Sequence, residues 1–339
     1  MPAADPAPPV SNGGNPRPAP LTLSKKIFSL ACVAALVVLF ALAFRHSSAE
    51  ISSRLSSANP LLIALGFLLN LLAFVPRAVR LNLLLPRGEG VPCGRAWSVS
   101  GATTFLLQVM PFRSGEVASW ASIRTVMGAT WARSGAVFAL SKLLDTATLL
   151  LTGVAGAAWL LFTRGTSVLG AAAAAVCVAG AAALVFLPTV SGHFVERLAP
   201  RFPEGSRRHA FADELALGLA VARRAPARYA GAAIAAFAFL GLHLAALGIT
   251  AKGLGLPLHP AALAVALLAS ITTAAVVPSP AGTFGPYESG FAAAAAVGGG
   301  LPLATGAVLG GLLHLLTTLA AGAVGLPFLL GRLRENPGP

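Results

Sequence analysis

The sequence predicts an all-α, polytopic integral membrane bundle. Three observations carry that prediction: the scarcity of charge, the recurrence of long apolar runs, and cations placed beside those runs. Of 339 residues, 56% are hydrophobic and 10% charged, with a mean hydropathy of +0.79. A soluble domain carries roughly 25% charged residues. Apolar runs long enough to cross about 30 Å of hydrocarbon recur along the chain. A helix satisfies its own backbone in that medium, so a helical bundle follows. The short alternating segments of a membrane β-barrel are not present. The formal charge of +13 suggests a nucleic-acid partner until the positions are read. The 24 Lys and Arg fall largely in the connections, where membrane topology accounts for them, and no nucleic-acid partner is expected. Cys32, Cys93 and Cys177 have neither metal-ligand nor redox spacing and read as packing residues. Neither a metal nor another cofactor is expected.

Residues 1–24 are rich in Pro, Ala and Gly without apolar periodicity, which predicts a disordered tail. Lys25 and Lys26 then precede eighteen uncharged residues, Ile27 to Phe44. That pattern resembles a signal peptide, but the long preceding tail favours a retained first span. A second apolar run, Leu61 to Val75, is expected to end at Pro76, Arg77 and Arg80. Further runs cover Gly135 to Thr163, Gly165 to Val190 and Tyr229 to Ala251. After Lys252 the chain carries only Glu288 until Arg332, a stretch long enough for three membrane-embedded helices. The domain expected at 25–334 divides into a first half (25–190), a basic loop (191–228) and a second half (229–334), with a short tail at 335–339.

Seven Arg in residues 76–134 and seven in 191–228 place both regions in the cytoplasm by the positive-inside rule. Alternation then puts both chain termini inside as well, in the cytoplasmic (inner) membrane. Within 191–228, Phe211, Leu215 and Leu219 recur at helical spacing. They suit either an interfacial helix against anionic lipid headgroups or an ordinary basic loop.

Two interruptions of the apolar pattern are the most informative features. The first runs from Gln108 through Pro111, Arg113 and Gly115 to Glu116. The second runs from Val277 through Pro278, Pro280, Gly282, Gly285 and Pro286 to Glu288. Each follows a short apolar helix, precedes another short segment and then a long span, and each half of the chain has one. Gly/Pro-broken segments at corresponding places point to an internal repeat with a central site. The first unit starts from the cytoplasmic side and the second from outside, so two oppositely oriented re-entrant hairpins are expected within an inverted repeat. The fold is then about six full spans plus these hairpins, or about eight spans if the hairpins cross.

A carboxylate in so apolar a stretch costs about 2.5–3.5 kcal/mol at a bilayer centre. Glu288 therefore needs compensation. It either caps the helix that Gly285 and Pro286 start, facing the helix dipole, or it serves a site. Glu116 poses the same alternative. Lys142 and Asp145, three apart on one helix face, form either a neutralising ion pair or part of a water-filled path. His243 and His314 lie in apolar runs and read first as packed, hydrogen-bonded residues. Gly306 and Gly310 make a GxxxG pattern of little weight in so Gly- and Ala-rich a background.

At these residues the sequence resembles the flippase-like family that includes the membrane domain of lysylphosphatidylglycerol synthases. The matching pieces span roughly residues 60–330. They are Arg77-Ala-Val-Arg80 with Leu83, Leu84 and Leu85; Pro111-Phe-Arg-Ser-Gly-Glu116; Lys142 with Asp145; and Pro280-Ala-Gly-Thr-Phe-Gly-Pro-Tyr-Glu288. The chain departs from the family at Ser119 and Lys142, where Arg is common, and in the final span, where the family often has Arg near the position of His314. The resemblance covers the membrane domain alone, and no aminoacyl-transfer domain is expected. The resemblance implies translocation of a phospholipid or lipid-linked headgroup, without enzymatic activity, through a cavity between the hairpins. The expected site comprises Arg77, Arg80, Arg113, Glu116, Lys142, Asp145, Gly285, Glu288 and His314. Expected partners are the lipid substrate, anionic headgroups at the cytoplasmic face, envelope-biosynthesis proteins and a second copy of the chain. Two other functions compete: a non-transporting scaffold in an envelope-synthesis complex, and a lipid-phosphate or lipid-linked-sugar enzyme using Ser191, Gly192 and His193.

Overall fold

The computed structural model describes residue 53 and residues 56–85, 90–165, 167–203, 205–256, 258–277, 279 and 282–335. The expected tail at 1–24, the expected first span at Ile27–Phe44, Arg45, Arg54, Arg87, Pro278 and Pro280 lie outside these residues. All regular elements among the described residues are helical.

Helix α1 (Pro60–Leu84) opens with the Asn59 side chain accepting from the N–H groups of Leu61 and Leu62 and with Pro60 at its first position. It does not stop at Pro76, as the sequence pattern suggested, but runs on for two more turns. Arg77 and Arg80 therefore lie inside the bundle, on a helix, and not in a cytoplasmic loop. Two contacts make this extension possible. The Asn82 amide exchanges hydrogen bonds with the backbone of Val91 (3.0 and 2.9 Å), and a carboxylate on a neighbouring helix pairs with both arginines. Helices α2 (Cys93–Val109) and α3 (Ser114–Met127) follow, separated by a tight turn at Pro111–Arg113, and then the long α4 (Trp131–Thr163).

The expected basic loop is mostly helix. Helix α5 (Ser167–Leu198) begins in the apolar run and carries past it. Helices α6 (Arg207–Leu219) and α7 (Val221–Arg224) complete the region. The helix anticipated at Phe211, Leu215 and Leu219 is α6, started by Ser206 accepting from the His209 N–H. It rests on α4 and α5, with Leu219 buried and Leu215 against the core, while Phe211 stays exposed. The second half contains α8 (Pro226–Gly253), α9 (Pro260–Val276), α10 (Pro286–Gly299) and α11 (Leu303–Glu335). Among the described helices, α1, α4, α8 and α11 are long and apolar enough to cross a membrane.

The two halves match element by element. Helices α1 to α4 have 25, 17, 14 and 33 residues, and α8 to α11 have 28, 17, 14 and 33. Helices α1 and α8 pack antiparallel: the Asn59 N–H donates to the Gly253 carbonyl (2.8 Å) at one end, and Arg228 donates to the Asn82 carbonyl (2.8 Å) at the other. The second half therefore starts at the end of the bundle where α1 finishes, so the repeat is inverted. Helices α2 and α3 form a hairpin opening at the Arg228 end, which is the basic end. Helices α9 and α10 form a hairpin opening at the opposite end, where the Arg164 side chain donates to the Val297 and Gly298 carbonyls. At 1.5 Å per residue the hairpin arms are about 25 and 21 Å long, short of a bilayer's apolar thickness.

Small residues set these helices close together. A Cβ at Gly325 would run into the backbone of Ala102, and one at Gly101 would lie 2.6 Å from Val324. The GxxxG pattern, given little weight in the sequence, is a packing face. A Cβ at Gly306 or Gly310 would stand 2.9 Å from Ala292 or Phe291 of α10. Cys93, expected to pack, is instead an exposed free thiol at the first residue of α2.

Candidate functional site

The hairpin tips meet in the middle of the bundle, and backbone groups join them. The Gln108 carbonyl accepts from the Thr283 N–H (3.0 Å), and the Phe112 N–H donates to the Ser279 carbonyl (3.2 Å). The junction requires unusual backbone on both sides. Phe112 has a φ of +50°, alone among the described non-Gly residues. Gly282, at φ +68°, lies so close to the Gln108 carbonyl oxygen that a Cβ there would overlap it.

Beside the junction lies a cavity of about 280 Å³ between the hairpins and α1, α4, α8 and α11. Of the site residues expected from sequence, Arg77, Glu116, Lys142, Asp145 and His314 line it. Arg80 lines a small adjoining recess together with Arg77, Lys142 and Asp145.

The cationic wall is built by α1 and α4. Arg80 is 1% exposed and grips Asp145 with both terminal nitrogens, Nη1 to Oδ1 at 2.5 Å and Nη2 to Oδ2 at 3.1 Å. The Nη2 of Arg77 reaches Oδ2 at 3.2 Å, and its guanidinium lies 5.0 Å from the Phe239 ring centroid. Asp145 therefore pairs with two arginines across helices. The i,i+3 pair with Lys142 that the sequence suggested is not the main contact. Lys142 borders the same recess, so three cations face one carboxylate and leave two formal positive charges. A wall of this kind suits an anion; burying it without one would be costly.

The facing wall comes from the second hairpin and α11. Glu288 caps α10, its Oε2 accepting the Gly285 N–H at 2.6 Å. Its Oε1 meets His314 Nδ1 at 2.7 Å, so both oxygens are engaged. The His314 ring is sandwiched between Phe284 and Tyr287, with centroids at 4.2 and 4.3 Å, and its Nε2 lies 3.0 Å from the Thr283 hydroxyl. The one proton of the Thr283 hydroxyl is shared between this nitrogen and the Gln108 carbonyl, which lies 3.3 Å away. Glu288 and Gly285 thus stand behind the cavity and hold His314, which faces it. Glu116, the third residue of α3, borders the cavity and has no hydrogen-bond or ion-pair partner among the described residues. Arg113 contributes its backbone to the turn between α2 and α3; its side chain lies outside what the structure describes.

Some lining residues escaped the sequence reading. His243 borders the cavity, stacks on Phe239 and meets Asn70 Oδ1 through Nδ1 at 2.9 Å. Gln108 and Thr283 belong to the two interrupted motifs, but only the tertiary contact between tips marks them. The Gln108 Oε1 is buried at the cavity wall without a partner. Ser191, Gly192 and His193 sit near the C-terminal end of α5 at the basic end. There His193 Nε2 meets Arg223 at 3.0 Å and Arg223 also pairs with Glu196. None of these residues lines the cavity.

The family model described as "Lysylphosphatidylglycerol synthase TM region" matches residues 27–325. Searches among curated proteins and among solved structures return no match.

Proposed function

Since the chain belongs to the family of lysylphosphatidylglycerol synthase transmembrane regions, we propose that it moves the phosphate-bearing headgroup of a lipid across the membrane. The acyl tails stay in the bilayer while the headgroup crosses. The cavity between the hairpin tips supports this reading most directly. It unites a doubly positive wall with an unpaired carboxylate at the depth where the two short hairpins end. In this reading α2–α3 and α9–α10 are re-entrant from opposite faces, and the basic end with both chain termini is cytoplasmic in the inner membrane. The site binds and releases; it carries out no covalent chemistry.

Arg77 and Lys142 take the phosphate, because both line the cavity while Arg80 lies behind it with both terminal nitrogens on Asp145, and Arg77 spends only one nitrogen there. Asp145 keeps the cluster from holding an anion irreversibly. Glu116 faces a cationic headgroup or a coupling proton. Proteoliposomes with a fluorescent phospholipid, quenched from outside by dithionite, test this. Arg77→Gln combined with Lys142→Gln should slow exchange between leaflets at least tenfold. Exchange at the same rate as in protein-free vesicles, with the native chain, would overturn the reading.

A further inference from the structure

We propose that the cavity offers two equivalent positions for a phosphate-bearing headgroup, related by the inverted repeat. One, at Arg77 and Lys142, is presented in this structure. The other, at His243 and His314, is held closed here by Glu288. This inference rests on the translocation reading and extends it.

The correspondence comes from register. Arg77 is the eighteenth residue of α1 and His243 the eighteenth of α8. Lys142 is the twelfth of α4 and His314 the twelfth of α11. Glu116 and Glu288 are each third in the outgoing arm of their hairpin. Glu116 and Lys142 are 26 residues apart, as are Glu288 and His314, so this part of the match does not depend on where a helix is judged to begin. The match of Arg77 to His243 rests on the starts of α1 and α8 at Pro60 and Pro226. Helices α2 and α9 share three lining positions, the twelfth, fifteenth and sixteenth: Thr104, Leu107 and Gln108 on one, Ile271, Ala274 and Ala275 on the other, with Leu267 added on α9 alone. A pseudo-twofold axis thus runs through the cavity, and whatever binds one side has a counterpart position on the other.

The two halves are in different states. In the second, the acid holds the base: Glu288 lies 2.7 Å from His314, and Thr283 occupies the other ring nitrogen. In the first, the equivalent Glu116 is unpartnered and borders the cavity. Exchanging the two states closes Glu116 onto Lys142 and frees His314. The freed histidine then faces the cavity beside His243. Asn70 Nδ2 donates to the Gly66 carbonyl, so its Oδ1 accepts from His243 Nδ1 and leaves Nε2 for the ligand. Each ring then presents Nε2 to a phosphate group, which can donate its own hydroxyl proton there, at the place equivalent to Arg77 and Lys142. Such exchange between the halves of an inverted repeat is the general route to alternating access.

Two disulfide-locked proteins, with Cys32, Cys93 and Cys177 changed to Ser, test the proposal. One carries Glu288→Cys with His314→Cys, the other Glu116→Cys with Lys142→Cys. Each lock replaces the latch of the closed position and leaves the other position intact. The probe is dihexanoyl phosphatidic acid, which presents a phosphate and nothing else. In the first lock, Arg77→Leu should weaken binding at least tenfold and far more than His243→Leu. In the second, the ranking should reverse, with His243→Gln weakening binding less than His243→Leu. Failure of the Glu116/Lys142 lock to form, or dominance of Arg77 in both locks, overturns two positions while leaving headgroup binding in place. No binding by the native chain or by either lock overturns the translocation reading as well.

Discussion

Asp145 is the residue on which the cationic wall depends. Replacing it with Asn leaves Arg77 and Arg80 buried without a counter-charge, and breaking a buried pair from one side costs about 3–5 kcal/mol. Asp145→Asn should therefore melt well below the native protein in detergent, and adding Arg80→Leu should recover part of the loss. An unchanged melting point would mean that water already screens the cluster. Gly282 makes a second residue-scale case, because its backbone conformation and its contact both exclude a side chain. Gly282→Ala should cost more than the roughly 1–2 kcal/mol expected for a side chain at positive φ. Gly300→Ala supplies the comparison, with the same φ of +68° but open space around it. Equal melting points for the two variants would remove the tip contact as a determinant. Glu288 shows how two readings of one residue can both hold, since one oxygen caps α10 and the other fixes His314.

Among elements, the hairpins owe their position to glycine. The α2–α11 contact brings Gly325 against Ala102 so closely that no side chain fits. Gly325→Ala forces those helices apart, and overpacking of this kind costs about 1–3 kcal/mol. Lipid exchange should fall along with the melting temperature, because α2 carries Gln108 to the junction. Loss of stability with exchange unaffected would show that the tips tolerate the shift. Element types and approximate limits were legible from apolar runs and Pro/Gly breaks. The end of α1 was not, because Pro76 and two arginines resemble a span's edge. Their shared partner, Asp145, lies 65 or more residues away on another helix.

For the whole molecule, the topology proposed above puts the two hairpin mouths on opposite sides of the membrane. Cys93 is exposed at the mouth of the α2–α3 hairpin, at the basic end. With Cys32 and Cys177 replaced by Ser, a membrane-impermeant maleimide should label Cys93 only after cells are opened. Labelling of intact cells would invert the orientation. By itself the sequence determined membrane residence, helical class, the two interrupted motifs and their opposed orientation, because hydropathy and backbone satisfaction act locally along the chain. It also supplied most of the charged residues near the cavity. Tertiary structure alone decided which charges pair, which carboxylate is already engaged, and that Asn70, His243, Gln108 and Thr283 belong to the site. Those outcomes depend on which helix faces which, and that follows from long-range packing around small residues and cannot be read from any local pattern.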